Sequence, residues 1–338
     1  MAFVFFMRSS FSIVLLLAFF VSCSNDSKEL ISNDECLETT YQENYSLLLG
    51  EVDKLNDEFG YCNTRGVGTD IVKRTADLAG SQLGAWVGSE LGAGLGVLTA
   101  NPVVGVVGYL GGRKVGGVAG FVVASYIAGK LCETIKGSCD LDETGISFYG
   151  DMYDGYSTGV IYTRSDEDPS VYSVGDIHNM ILAKLVHNNK AYTDKDGHLQ
   201  IEEMYDDAVQ LEMAILDDTL SLNTVYRNYF IAFCKDVESA TRDLYANGIC
   251  VEEYNARLFQ SLMNKGVPAA DVQELEELTN KLLAPTVLDR EQTFEYERAF
   301  EDIVRTSSLP DNKKEDFILS GSVAIMSTDF WKSKQQSN

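Results

Sequence analysis

Chemistry at neutral pH usually runs through histidine, cysteine or paired carboxylates, and this chain is sparing with the first of these. It has three histidines, His178, His187 and His198. Their separations of nine and eleven residues do not match the three or four that put two ligands on one helical face. In "SVGDIHNMIL", His178 and Asn179 open a helical pattern. Two readings stand there: a histidine hydrogen-bonded near a helix start, and a general base. Acid pairs such as Glu202-Glu203, Asp206-Asp207 and Asp217-Asp218 sit inside helical patterns and read as solvated faces. No G-x-S-x-G, P-loop or dinucleotide fingerprint stands in a strand-and-helix context. The sequence thus points to association rather than catalysis, with no cofactor.

The seven cysteines divide into one and six. Cys23 ends the apolar run "MRSSFSIVLLLAFFVSC" and is followed at once by the polar "SNDSKE". The other six fall as neighbours along the chain, so the expected disulfides are Cys36–Cys62, Cys132–Cys139 and Cys234–Cys250, out of fifteen ways to pair six cysteines. No C-x-x-C or cysteine-histidine spacing suits zinc. The Val21-Ser22-Cys23 ending resembles a bacterial lipoprotein signal, in which small residues precede a cysteine that is lipidated, palmitate included, and becomes the first mature residue. The resemblance implies export and a lipid anchor at Cys23. Ser24 in place of aspartate implies the outer membrane. Asp26 and Glu29 resemble the surface-export signals of Bacteroidetes lipoproteins, as "GDIHN" resembles an opening found in uncharacterised members of that group.

The stretch "YTDKDGHLQIEE" resembles a calcium-binding EF-hand loop, with Asp194, Asp196, Gly197, Leu199 and Glu203 at its third, fifth, sixth, eighth and twelfth places. Tyr192 stands first, where an oxygen ligand belongs. A metal site on Asp194, Asp196 and Glu203 therefore competes with an Asp-Gly turn that leads into a capped helix.

A different pattern fills the middle of the chain. "GSQLGAWVGSELGAGLG" places glycine at 80, 84, 88, 92 and 96, and a second ladder follows at Gly108, Gly112, Gly116 and Gly120. Each glycine inside a helix costs about 0.8 to 1 kcal/mol relative to alanine, so the space must serve a close approach. Asn101-Pro102 makes a turn between the ladders. Folding about it sets Gly96 against Gly108, Gly92 against Gly112, Gly88 against Gly116 and Gly84 against Gly120, with Glu90 opposite Lys114 and Arg113 alongside. A period of four drifts about 40° per step on an α-helix, so the two helices should cross. Small-x-x-x-small packing of this kind lets backbones meet. Each arm is long enough to cross a bilayer, but Glu90, Arg113 and Lys114 would each cost roughly 2.5 to 3.5 kcal/mol at mid-span unless paired or in water. A membrane-inserted hairpin, a hairpin buried in the protein's own helical core and a glycine-rich linker all remain open. With the lipidated cysteine, residues 78–130 resemble the glycine-zipper outer-membrane lipoproteins of the surface-antigen type, through the ladder glycines and "GRKVGGVAG". Glycine-zipper hairpins also occur in pore-forming toxins and bacteriocin-like peptides.

The rest is helical. The 338 residues, 45% hydrophobic, carry 27 basic and 51 acidic side chains, a net charge of −24 that excludes nucleic acid as a partner on electrostatic grounds. The expected fold is mainly α: a signal peptide over 1–22, a tether and amphipathic helix over 23–69, the glycine-zipper hairpin over 70–131, a loop-rich connector with a short strand pair over 132–173, and an all-α domain over 174–338. Within the last, one helix is expected over about 201–246, and Asp289 and Asp311 are expected to cap helix starts. The partners expected are membrane lipid, through Cys23 and the hairpin, and a second copy or partner helix pair. A membrane-damaging toxin and a periplasmic enzyme using His178 are the competing functions.

Overall fold

The computed structural model describes residues 27–59, 72–73, 75–77, 79–80, 82–84, 102–136, 143–154, 173–187, 192–195, 197–216, 224–282 and 288–331. At 27–38, 102–117, 136, 143–145, 216, 224–226 and 279 only the helix itself is described. Among the described residues 88% are helical and none belongs to a strand, so the fold is mainly α. The helices are α1 Ser27–Glu58, α2 Pro102–Lys136, α3 Glu143–Asp154, α4 Val174–His187, α5 Ile201–Leu216, α6 Thr224–Arg242, α7 Val251–Asn264, α8 Ala269–Leu282, α9 Arg290–Thr306 and α10 Asp311–Phe330. The 72–84 segment is helical at every residue described.

The chain forms two compact units, divided at Leu48 and Leu49. In the first, the described part of α1 carries Tyr41 and Tyr45 stacked with ring centroids 6.4 Å apart. The second holds everything else. In it, the end of α1 is tied to α8 and α9: Lys281 pairs with Asp53 at 2.5 Å, and the Tyr296 hydroxyl donates to Asn56 Oδ1 at 2.5 Å.

Helix α2 is the axis of the second unit. Its residues 118–129 are buried without a break, apolar on every side as a helix surrounded by protein must be, and it packs on α4, α5 and α6. Helix α4 in turn packs on α3, α5 and α10, and α9 lies along α10. One contiguous apolar core joins residues of the 72–84 segment to Trp331. The separation expected between a hairpin domain over 70–131 and an all-α domain over 174–338 is therefore not made. The described parts of both share that core, because the apolar second ladder needs a helical jacket and the C-terminal helices supply it.

Three local expectations change. Residues 132–173 hold a helix, α3, whose Tyr149 is fully buried, and no strand pair among those described. The helix expected over 201–246 is instead α5 and α6, with a π-helical turn at Asp243–Asn247 closed by Gly248 at φ 74°. Asp289 caps α9 in a reciprocal capping box with Gln292. Asp311 does not cap α10: extended Pro310 takes the N-cap position, and Asp311 becomes the first helical residue. Proline fits there because its fixed φ suits the chain just before a helix.

Candidate functional site

The glycine face is where the sequence pattern meets the structure. Gly120 lies under Phe230 of α6, where a Cβ would stand 2.1 Å from the ring. Gly129 lies under Trp331, where the corresponding distance is 2.3 Å. The 72–84 segment meets the same helix: a Cβ on Gly80 would be 3.1 Å from Phe121 Cα and 3.6 Å from the Gly120 carbonyl oxygen. Backbone thus approaches backbone, as small-residue packing allows. The register is displaced by one four-residue step from the expected one, with Gly80 in place of Gly84 against Gly120. A period of four permits both, and side chains outside the ladder decide. Gly88, Gly92, Gly96 and Glu90 lie outside the described residues. Gly108, Gly112 and Gly116 lie on α2, as do Arg113 and Lys114, whose side chains are not described.

The deciding side chains form a buried polar cluster. Asp77 accepts a hydrogen bond from the Ser327 hydroxyl of α10, and its other oxygen, Oδ1, lies 3.5 Å from His178 Nε2 of α4. His178 Nδ1 is 2.9 Å from Asn179 Oδ1, and the Asn179 amide donates to the Met326 carbonyl at 2.8 Å. The Lys73 ammonium sits 4.4 Å from the Trp331 ring centroid, and the indole N–H donates to Ser125 Oγ at 2.8 Å. Asp77 and His178 are both 0% exposed. A general base must touch its substrate, and His178 is closed off by α10 and the 72–84 segment.

A second buried group adjoins the first. Ser322 Oγ accepts from Gly175 N at 3.1 Å and donates to Glu297 of α9. Burial pushes the Glu297 carboxyl well above the usual carboxylate range, and the neighbouring charges of Asp176 and Glu301 push it further. Asp176 is held by reciprocal bonds with Ser173, as a helix-start box. Asp329 accepts from Arg290 at 2.7 Å and from the Tyr149 hydroxyl at 3.0 Å. Burial, followed by the charges of Asp329 and Asp176, raises the Tyr149 phenol well above its ordinary value, so it stays a donor.

The loop at 192–203 is a tight turn. Asp194 Oδ1 accepts from His198 N at 2.9 Å, Thr193 bridges Leu199, and Gly197 adopts φ 83°. Tyr192, at the place of the first calcium ligand, is instead buried, edge-on to Tyr126 with centroids 5.7 Å apart, and its hydroxyl donates to Asp207. Asp196 lies outside the described residues, and Glu203 is exposed at the start of α5. Among the described residues no group of three or more histidine, cysteine or acidic side chains is placed to hold a metal ion.

Of the three expected disulfides, Cys234–Cys250 is not formed. Cys234 and Cys250 are both free. Cys234 points from α6 into the core, its sulfur 4.0 Å from the Gly120 carbonyl, and Cys250 is exposed ahead of α7. The two thiols face opposite environments, which a disulfide cannot bridge without moving backbone. Cys132 is buried and disulfide-bonded. Cys23, Cys62 and Cys139 lie outside the described residues, as does the side chain of Cys36.

No family model, no curated protein and no solved structure matches this chain.

Of the site residues, sequence reasoning singled out His178 and the glycines. It missed Asp77, Asp176, Glu297, Ser322, Ser327 and Asp329. One signal was present: "SGSVAIMSTDF" in α10 alternates small polar with apolar residues and shows no polar face, the mark of a helix buried all round.

Proposed function

We propose that the chain is an exported, lipid-anchored envelope protein that acts by association, with an acyl group on Cys23 holding the helical domain at a membrane surface. The observation that carries this reading is the enclosure of the most apolar helix. Val118–Ile135 is long and apolar enough to cross a membrane, yet 78% of it is buried inside the protein. A spanning helix offers its apolar sides to lipid. Those of this described stretch are already covered by α4, α5, α6 and Trp331, with Gly120 closed by Phe230 and Gly129 by Trp331. The small residues serve contact within the domain, and attachment falls to the lipid. Acidic excess at the surface suits display in water rather than adsorption to anionic lipid. The enclosed position of His178 favours a structural role for it over a catalytic one.

The test is partition of the mature protein, with and without Cys23→Ser, between aqueous and membrane fractions, followed by alkaline carbonate extraction. The expected result is a Cys23→Ser form that is soluble and folded. Resistance of that form to carbonate would overturn the reading in favour of an inserting hairpin, and dye leakage from liposomes would then distinguish a toxin-like activity.

A further inference from the structure

We infer that His178 and Asp77 form a buried proton-binding site that, when occupied, fastens the 72–84 segment to α4 and α10. Hydrogen-bond accounting leads there. The Asn179 amide nitrogen donates to the Met326 carbonyl at 2.8 Å, which fixes the amide's orientation. Its carbonyl oxygen therefore faces His178 Nδ1, at 2.9 Å. A carbonyl only accepts, so Nδ1 carries the hydrogen. In a neutral imidazole the other nitrogen, Nε2, is then a bare acceptor. It faces Asp77 Oδ1 at 3.5 Å, and neither atom has a hydrogen bond. Oδ2 of the same carboxylate is taken by Ser327.

Without a further proton, two acceptors confront each other where both residues are completely buried. A buried polar atom left unsatisfied costs about 1 to 3 kcal/mol, and more when charged. One proton removes both deficits. On Nε2 it gives an imidazolium–carboxylate pair, and on Oδ1 it gives a neutral acid donating to imidazole. The proton belongs to the pair.

The surroundings bear on its retention. Lys73 lies four residues before Asp77, with its ammonium over Trp331. Helix α4 contributes Asp176, α3 contributes Tyr149 and α7 contributes Tyr254, whose hydroxyl is 3.4 Å from the Val72 carbonyl. From α10 comes Asp329, neutralised by Arg290 of α9, and α9 also presents Glu297, whose burial keeps it protonated. Both phenols are held neutral by burial. The pair's own charge is that of Asp77, and the bound proton balances it.

The sign of the pH effect follows. An unfolded histidine is mostly neutral above about pH 6.5, so folding takes up a proton there, and stability must fall as pH rises. This fastening acts within the domain and does not depend on the membrane reading.

Asp77→Asn tests it, because an asparagine amide can donate to Nε2 while its oxygen still accepts from Ser327. The folded full-length mature chain is compared with this variant by urea unfolding between pH 6 and pH 8.5, and the ring nitrogens of His178 are observed by 15N NMR. The exposed His187 and His198 serve as internal references. Expected is a wild-type folding constant that falls by up to about tenfold per pH unit relative to the variant. Both ring nitrogens of His178, or Asp77 itself, should hold the extra proton at pH 7, with Nε2 accepting from the amide in the variant. Parallel stability curves would overturn the proposal. If the variant does not fold, wild-type spectra decide alone: a bare Nε2 with no proton on Asp77 at pH 7 overturns it.

Discussion

The ring of Phe230 lies against Gly120 so closely that a Cβ on the glycine would stand 2.1 Å from Cδ1 and 2.3 Å from Cε1. The relationship explains why a helix formed from such poor helix formers is stable: the lost propensity is offset by aromatic surface laid on bare backbone. Gly120→Ala should therefore destabilise by about 1 to 3 kcal/mol, the cost of overpacking a filled core. Gly50, in α1, has nothing within 4 Å of its missing Cβ. There alanine only improves the helix, and Gly50→Ala should stabilise by up to about 1 kcal/mol. Urea unfolding of both variants checks the pair, and shifts of the same sign would contradict the packing described.

Trp331 joins the C-terminal end of α10 to α2 through its N–H bond to Ser125, while Lys73 caps its ring and Gly129 makes room beneath it. Trp331→Phe keeps an aromatic ring but leaves the buried Ser125 hydroxyl without this donor. A loss of about 1 to 3 kcal/mol is expected. In the double variant with Ser125→Ala, part of that loss should return, since both partners are then apolar. A double-mutant cycle measures the recovery.

The helical character of the chain was legible from periodicity, caps and breakers, as at Asp289 and Gly248. The close approach at Gly80 and Gly120 was legible from the glycines alone. The register was not, because a repeat of four is satisfied by Gly80 or Gly84 equally, and the choice rests on Asp77, Lys73 and Val72 meeting residues some hundred or more positions away. Nor was the polar cluster legible: Asp77, Ser327 and Glu297 are ordinary polar residues of helices until tertiary packing buries them together. Tyr192 illustrates the reverse case, where one aromatic residue at a ligand position already signalled a structural turn. Cys234 and Cys250 misled because nearness in sequence says nothing about which way two side chains point.

The two free thiols should separate sharply in reactivity. Burial pushes the Cys234 thiol far up, and the thiolate is the reactive form. Cys250 is exposed. Under native conditions a maleimide should label Cys250 and leave Cys234 intact, with Cys234 reacting only in denaturant; peptide mapping by mass spectrometry reads both. Native labelling of Cys234 would mean that α6 opens from α2. Protection of both in the non-reduced protein, reversed by reductant, would restore the disulfide.

Glu297 gives a separate handle on pH. Its carboxyl is raised by burial and by the charges of Asp176 and Glu301, and it accepts a hydrogen bond from Ser322. The sign is fixed by the direction of that shift. The folded state keeps a proton that the unfolded chain releases near the ordinary glutamate value, about 4.3. The stabilisation is therefore complete below that value and is lost as pH rises toward and through the folded one, at a slope of up to about 1.4 kcal/mol per pH unit. Glu297→Gln is a neutral isostere that still accepts from Ser322. It should remove this slope and gain stability over wild type as pH rises. Stability measured from pH 5 to pH 8 decides, since a Glu297 that ionises normally in the fold adds no slope of its own and would leave the two curves parallel.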